Sequence, residues 1–265
     1  MLEVIDKRPI HESHKAPLLF VHGAWHGAWC WDEHFLDFFV EKGYRSLAVS
    51  LRGHGNSPAP KPMQFCSIAD FVEDVDSVAT SLPERPIVIG HSMGGFVVQK
   101  YLESHGASAG VLLASVPPSG VTGFFLRRFK RHPWYFVSSL AVGKSLRSVG
   151  GTPELARETF YSQLTPDADV MRYTARLGEE YVGKFVLDML WRNRPRPNLV
   201  TAPLLVLGAG DDVCFTQLEV HATASAYDTE AEIFPKMGHN MMLEPEWAAV
   251  AARIHTWLKT RDPEN

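Results

Sequence analysis

The sequence has few cysteines, no long apolar run and no excess of positive charge. Its three cysteines are odd in number, stand far apart and include no C-x-x-C pair, so neither a disulfide framework nor a thiolate metal site is indicated. No stretch approaches the roughly 20 apolar residues of a membrane span, and the first residues lack the apolar core of a signal peptide. We therefore expect a cytoplasmic protein without a bound metal or cofactor.

The formal net charge of −4 argues against one class of partner. Binding to nucleic acid normally requires a basic surface, so we do not expect a nucleic acid as partner. With 265 residues and 45% hydrophobic content, the chain is long enough to bury a full core in one domain with an insertion. The sequence carries no signal for an oligomeric state.

Short apolar runs alternate with amphipathic patterns along most of the chain. The runs have the length of buried strands and are Pro17–His22, Tyr44–Ser50, Pro86–Gly90, Gly110–Ala114, Pro203–Gly208 and Ala231–Phe234. One helical pattern begins after Ser67, a capping residue, and ends at Pro83, and another follows Trp247. Because parallel neighbours need crossover helices, this alternation predicts a mostly parallel sheet with helices on both faces. Functional groups of such sheets gather beyond the carboxyl ends of the strands.

The alternation stops near residue 117 and resumes at residue 201. The residues between read as helices, at Gly123–Phe129, Tyr135–Leu146, Pro153–Leu164, Asp167–Arg176 and Tyr181–Arg192. This segment has a net charge of +6, whereas the rest of the chain has −10. We predict a core of residues 1–116 and 201–265, with a helical cap of residues 117–200 inserted in it.

The strongest motif is G-x-S-x-G, present as G-H-S-M-G at residues 90–94. It lies directly between a predicted strand and an amphipathic helix. The flanking glycines leave room for a strained turn that holds the serine hydroxyl at the carboxyl edge of the sheet. The motif therefore predicts Ser92 as a nucleophile.

A serine hydroxyl is a poor nucleophile at neutral pH, so Ser92 requires a histidine base that an acid orients. His239 follows the last predicted strand, and Asp211 and Asp212 follow the strand before it. The residues alone leave Asp211, Asp212 and, less favourably placed, Asp228 open as the acid. Serine, acid and histidine appear in this order, each after a strand, which predicts a catalytic triad.

Together with three further motifs, these features make the chain resemble the α/β-hydrolases over nearly its whole length. The family's His-Gly is matched at residues 22–23, its R-G-x-G-x-S turn at residues 52–57 and its Gly-His at residues 238–239. The family's G-x-x-D acid corresponds to Gly208 through Asp211, so the resemblance favours Asp211. It implies an α/β-hydrolase fold, with a mostly parallel, doubly wound sheet and an inserted helical cap.

A more particular stretch, H-G-A-W-H-G-A-W-C-W at residues 22–31, is similar to the branch of small esterases, methylesterases and hydroxynitrile lyases. That resemblance implies an oxyanion hole made of the backbone amides of Ala24 and Met93. His22 and Trp25 are candidates for the substrate pocket, and His22 is also interpreted as a brace of the oxyanion loop. The H-G-G-G motif is absent, which argues against the hormone-sensitive-lipase type.

Other histidines are interpreted as structural. His22 and His26 stand four residues apart but lack the glutamate of H-E-x-x-H, so a zinc pair is not predicted. His54 and His91 lie near the same face of the predicted sheet without a partner that the sequence identifies.

These features predict a serine hydrolase, an esterase or lipase that acts through an acyl-enzyme on a small ester with an apolar acyl group. Serine instead of aspartate at the nucleophile position argues against dehalogenases and epoxide hydrolases. Two alternatives stay open, because fold and triad do not fix the substrate. One is a lyase or carbon–carbon hydrolase with the same triad, and the other is a ligand receptor of this fold.

Residues 124–136 of the helical cap mix bulky apolar side chains with Arg127, Arg128, Lys130 and Arg131. One interpretation is a helix with a solvated basic face and an apolar face over the pocket. The other is peripheral contact with anionic lipid, because basic amphipathic segments with Trp and Phe bind lipid interfaces.

Overall fold

The computed structural model describes residues 1–11, 13–134 and 146–261. Within these residues, seven strands form one sheet: β1 (Val4–Lys7), β2 (Leu18–Val21), β3 (Ser46–Val49), β4 (Ile87–His91), β5 (Ala109–Leu113), β6 (Leu204–Ala209) and β7 (Ala231–Phe234). Their order is β1-β3-β2-β4-β5-β6-β7, and all neighbours are parallel except β1 and β3. The predicted α/β fold with a mostly parallel sheet is confirmed.

The sequence analysis did not predict β1, which pairs antiparallel with β3 at the edge of the sheet. Its four residues include the charged Asp6 and Lys7, and they alternate between exposed and half-buried. An edge strand has one neighbour and faces water on its other side, so it needs no continuous apolar run. The period of two over only four residues is too short to stand out in the sequence.

Among the described residues, helices cover both faces of the sheet and make up much of the segment between β5 and β6. In chain order they are α1 (Trp29–Asp32), α2 (Phe35–Glu41), α3 (Ile68–Ala79), α4 (Met93–Leu102), α5 (Thr122–Arg131), α6 (Arg147–Gly150), α7 (Pro153–Phe160), α8 (Asp167–Thr174), α9 (Lys184–Leu187), α10 (Gln217–Ala226) and α11 (Trp247–Lys259). A π-helical turn, Asp188–Arg192, continues α9. Among the described residues, no helix has the length and apolar character that crossing a membrane requires.

Helix α3 shows how local sequence sets an element that supports the site. The Ser67 hydroxyl accepts a hydrogen bond from the Asp70 amide at 3.2 Å, and the Asp70 carboxylate accepts one from the Ser67 amide at 2.7 Å. This capping box satisfies two amides that otherwise lack helical partners. The predicted start after Ser67 is confirmed, and the apolar face of the helix is buried.

In the described part of the helical cap, α5 to α9 replace the alternation of strands and helices. The predicted helix Pro153–Leu164 ends earlier, at Phe160, and the predicted helix at residues 135–146 falls almost entirely outside the described residues. The division into core and helical cap stays a prediction.

The strand order brings the predicted site residues to one edge of the sheet. From β2 the chain moves outward to β3, and it then returns to place β4 on the other side of β2. The loop after β2 and the turn after β4 are therefore neighbours at the point where the strand order reverses, where ligands bind in such sheets. The loops after β6 and β7 end at the same edge.

Candidate active site

Ser92 lies in a sharp turn between the end of β4 and the start of α4, with φ 54° and ψ −119°. A serine in this left-handed region is strained, and the surrounding packing must hold it. A Cβ at Gly90 would clash with the backbone of Gly94, and one at Gly94 would clash with the carbonyl oxygens of Val21 and His22. Only glycine at these positions lets the turn pack so close to β2.

His239 connects Ser92 to a carboxylate through its two ring nitrogens. Its Nε2 lies 2.9 Å from Ser92 Oγ, and its Nδ1 lies 2.8 Å from Asp212 Oδ2. The His91 ring donates from Nε2 to the backbone oxygen of His239 at 3.0 Å, which fixes the loop that carries the base. The ring of His239 is buried, so this chain of hydrogen bonds is largely shielded from water.

The predicted contact of Asp211 with His239 is corrected, because in the structure Asp212 makes this contact. Asp212 is buried, and its Oδ1 accepts hydrogen bonds from the amides of Cys214 and Phe215 at 2.7 and 3.1 Å, which leaves Oδ2 for His239. Asp211 is exposed, and its backbone amide donates to the Met237 carbonyl at 2.9 Å. Spacing alone did not distinguish them, because consecutive residues of a turn point in different directions.

Cys214 adds a third metal-ligating residue type beside this pair. Ligand atoms of Asp212, Cys214 and His239 lie within 4.8 Å of one another. However, the Asp212 and His239 atoms already hydrogen-bond directly, and burial raises the pKa of the Cys214 thiol well above its usual value. In this arrangement the aspartate and the histidine belong to the hydrogen-bonded chain that leads to Ser92.

Ala24 and Met93, the predicted oxyanion residues, both line the cavity at Ser92. Met93 is the first residue of α4, and an amide at this position has no helical carbonyl to bond. Its backbone N–H thus needs another acceptor, and the positive end of the helix dipole favours a negative one. This placement supports the predicted oxyanion hole.

The prediction that His22 lines the substrate pocket is corrected to the bracing role. Its Nε2 accepts a hydrogen bond from the Leu51 amide at 3.0 Å, so the proton lies on Nδ1, which donates to the Gly23 carbonyl at 2.7 Å. The ring is completely buried, and burial holds its pKa well below the usual range. His22 is therefore a neutral side chain whose two hydrogen bonds hold the loop after β2 in place.

His26 is a second brace of this loop, and it is not part of a zinc pair with His22. Its Nδ1 donates to the Ala24 carbonyl at 2.8 Å, and Asn240 donates to its Nε2 at 3.1 Å. Burial lowers the pKa of His26 to about 4, so the ring is neutral at pH 7.

The cavity at Ser92 is mostly apolar, and Trp25 lines it as predicted. The residues of the helical cap that line it include Phe124, Phe125, Leu146, Phe160, Glu180, Phe185, Val186 and Met189. Bulky apolar side chains therefore line the same cavity as Ser92. This character fits an apolar substrate group.

Glu180 was not predicted from the sequence, and it is the one acidic residue among the described residues that line this cavity. Its Oε2 accepts hydrogen bonds from the Trp25 amide at 3.1 Å and from His54 Nε2 at 3.0 Å. The amide of Gly178 also donates to the Trp25 carbonyl at 2.7 Å, so the helical cap holds Trp25, with its φ of 65°, by both backbone groups. No motif marks Glu180, which lies between two predicted cap helices, because its contact with Trp25 spans 155 residues.

The three arginines of α5 are paired with carboxylates. Arg127 binds Glu219 of α10 at 2.8 Å, while Arg128 and Arg131 bind Glu158 of α7 at 3.0 and 2.8 Å. Of these arginines, Arg128 is buried. Much of this positive charge therefore holds α5 in place. Phe124 and Phe125 of α5 line the cavity, whereas Leu126 and Phe129 are exposed.

Comparison with known proteins agrees with this geometry. The model of the alpha/beta hydrolase family matches residues 18–253. A probable esterase of Oryza sativa subsp. indica is 29% identical over 180 residues, which are 62% of this chain and 67% of the relative. A non-heme chloroperoxidase of Burkholderia pyrrocinia is 38% identical over 108 residues, 38% of each chain.

Among solved structures, a monoacylglycerol lipase of Paleococcus ferrophilus superposes with a TM-score of 0.73 at 21% identity. The superposition covers 98% of this chain and 99% of the lipase, which shows a shared fold. Because the family model covers most of the sequence, the chain belongs to the α/β-hydrolase family.

Proposed function

We propose that this chain hydrolyses carboxylic esters through an acyl-enzyme on Ser92. The observation that carries the proposal is the continuous hydrogen-bonded chain from Ser92 through His239 to Asp212. As Ser92 Oγ attacks the ester carbonyl, His239 Nε2 takes its proton and then gives it to the departing alcohol. His239 next deprotonates a water molecule, which attacks the acyl carbonyl, releases the acid and regenerates Ser92.

Asp212 and two backbone amides complete the proposed mechanism. Because Asp212 accepts from Nδ1, it holds the ring tautomer in which Nε2 is free to take a proton, and it stabilises the imidazolium that follows. The amides of Ala24 and Met93 stabilise the negative carbonyl oxygen of the tetrahedral intermediate.

The class of carboxylic ester hydrolase rests on the relatives as well as on the site. The chain is similar to probable and named esterases, and its fold matches those of a monoacylglycerol lipase and of a thermophilic esterase from Thermogutta terrifontis. The expected substrate is a small ester. The apolar cavity lining supports an apolar acyl group, which transfers favourably from water into such surroundings.

Two further parts of the proposal concern contact with lipid and the location in the cell. Peripheral contact of α5 with anionic lipid depends on Lys130 and Arg131, whose side chains are exposed, rather than on the buried Arg128. A reducing location such as the cytoplasm is proposed because Cys30 and the other two cysteines are all free and buried.

Ser92→Ala tests the proposal. We expect kcat on p-nitrophenyl butyrate to fall by about 10⁴- to 10⁶-fold, and a fluorophosphonate probe to label the parent protein at Ser92 alone. Ester turnover by the variant within tenfold of the parent would exclude Ser92 as nucleophile. Absence of turnover by the parent over a range of acyl lengths would favour the lyase or receptor alternatives.

A further inference from the structure

The lining of the cavity at Ser92 includes a glutamate, Glu180, with a carboxylate oxygen that has no hydrogen-bond partner among the described residues. The Glu180 side chain is fully buried and lines the cavity, yet only Oε2 is used, by Trp25 and His54. Oε1 has no hydrogen-bond partner in the part of the chain that the structure describes. Buried polar atoms are nearly always satisfied, so an orphan beside the nucleophile points to a donor that arrives with the substrate.

The surroundings of Glu180 restrict the charge of that donor. Both ring nitrogens of His54 face acceptors, Nε2 the Glu180 carboxylate and Nδ1 the Arg52 carbonyl at 3.2 Å. Although burial disfavours the charged ring, the adjacent carboxylate raises the pKa of His54 above its ordinary value. Two acceptors facing the two ring nitrogens fit a doubly protonated ring, and in that form the pair with the carboxylate has no net charge. An ammonium group on the substrate would add an uncompensated charge to an apolar cavity, whereas a neutral donor would not.

A second unpartnered atom lies in the same lining. Among the described residues, the Trp25 indole Nε1 is a buried donor without an acceptor. A hydroxyl or an amide group both donates and accepts, so such a group matches an orphan acceptor and an orphan donor better than an alkyl group does.

We propose that Glu180 selects esters that carry a neutral hydrogen-bond donor, a hydroxyl or an amide N–H, which donates to Oε1. The inference rests on the proposed ester hydrolysis at Ser92, and it names the class of substrate for that site. A purely structural role for Glu180 would use Oε2 alone, through its bonds to Trp25 and His54, and would give no preference between substrates.

The test compares esters that differ only by hydroxyl against methyl. Suitable pairs are p-nitrophenyl 3-hydroxybutanoate with 3-methylbutanoate, p-nitrophenyl lactate with isobutyrate, and 2-hydroxyethyl butyrate with propyl butyrate. In at least one pair, the parent should prefer the hydroxyl ester by about 10- to 100-fold in kcat/KM, as expected for a hydrogen bond to a charged acceptor. The charged 3-aminobutanoate ester should be no better than 3-methylbutanoate.

Glu180→Gln keeps an oxygen for the Trp25 amide and replaces the unpartnered acceptor Oε1 with an amide donor. The preference ratio should then fall to about one or below, whatever the variant does to overall rate. The matched control is Glu244→Gln, because Glu244 is also buried and binds the helical cap, through Ser162 and Thr165, but does not line the cavity. This control should keep the ratio. A parent ratio near one in all pairs, or the same ratio in Glu180→Gln, would overturn the proposal.

A binding measurement separates this inference from the proposed function. In Ser92→Ala, calorimetric titration with 2-hydroxyethyl butyrate and propyl butyrate should show tighter binding of the hydroxyl ester, and the Ser92→Ala, Glu180→Gln double variant should lose the difference. If the parent hydrolysed no ester, the proposed function would fail, and this titration would still decide the role of Glu180. Equal binding of both esters would refute it.

Discussion

The assignment of Asp212 as the acid gives the sharpest prediction, because Asp211 offers a matched control one residue away. In Asp212→Asn, the amide oxygen can still accept from Cys214 and Phe215, so the loop should keep its conformation. The amide nitrogen then faces His239 Nδ1 and donates to it. The ring proton moves to Nε2, and the base can no longer accept the proton of Ser92.

From this change of tautomer we expect a fall in kcat of about 10⁴-fold, equivalent to about 5 kcal/mol of transition-state stabilisation. Asp211→Asn should stay within about threefold of the parent, because its side chain is exposed and its backbone bond to Met237 survives. The assay is hydrolysis of p-nitrophenyl butyrate at pH 8, with thermal unfolding to check folding. A larger loss in Asp211→Asn than in Asp212→Asn would refute the reasoning.

Three further predictions concern packing, pH and charge. Gly94→Ala should lower the free energy of unfolding by about 3 kcal/mol in a denaturant titration, because the added Cβ would meet backbone oxygens at the end of β2. In the control variant Gly178→Ala, the added Cβ would lie 3.6 Å from its nearest neighbour, so the free energy of unfolding should fall by less than about 1 kcal/mol. Folded His26 has a pKa of about 4 and unfolded histidine about 6.5, so the unfolded chain binds more protons between these values and stability falls as pH drops. His26 should account for about 2 kcal/mol of the stability that the protein loses between neutral pH and pH 5. If a His26→Gln variant lost as much stability as the parent over this range, His26 would not be the buried neutral group responsible. The rate of ester hydrolysis should be higher on anionic vesicles than on neutral ones, and the difference should shrink above 0.1 M salt. A Lys130→Glu, Arg131→Glu variant should lose this difference. Equal rates for the parent on both kinds of vesicle would exclude the lipid contact.

The sequence patterns predicted those elements that depend on interactions between residues close together in the chain. The start of α3 follows from the capping box that Ser67 and Asp70 form within four residues. Buried parallel strands need continuous apolar runs, so β2 to β7 stood out in the sequence. The edge strand β1 did not, because its exposed side tolerates charged residues such as Asp6.

The sequence by itself determined the fold class, and it placed Ser92, the two candidate acids and His239 after successive strands in the order proposed for a triad. It did so because glycines around Ser92 are required by the turn itself, and because strand ends converge at one edge of a parallel sheet. Only the tertiary structure decided that Asp212 rather than Asp211 meets His239, since this depends on which carboxylate turns toward the histidine. It alone showed that Glu180, from the connection between α8 and α9, meets the loop after β2 with one oxygen and lines the cavity. Such contacts are set by packing between distant segments, and a linear spacing does not encode them.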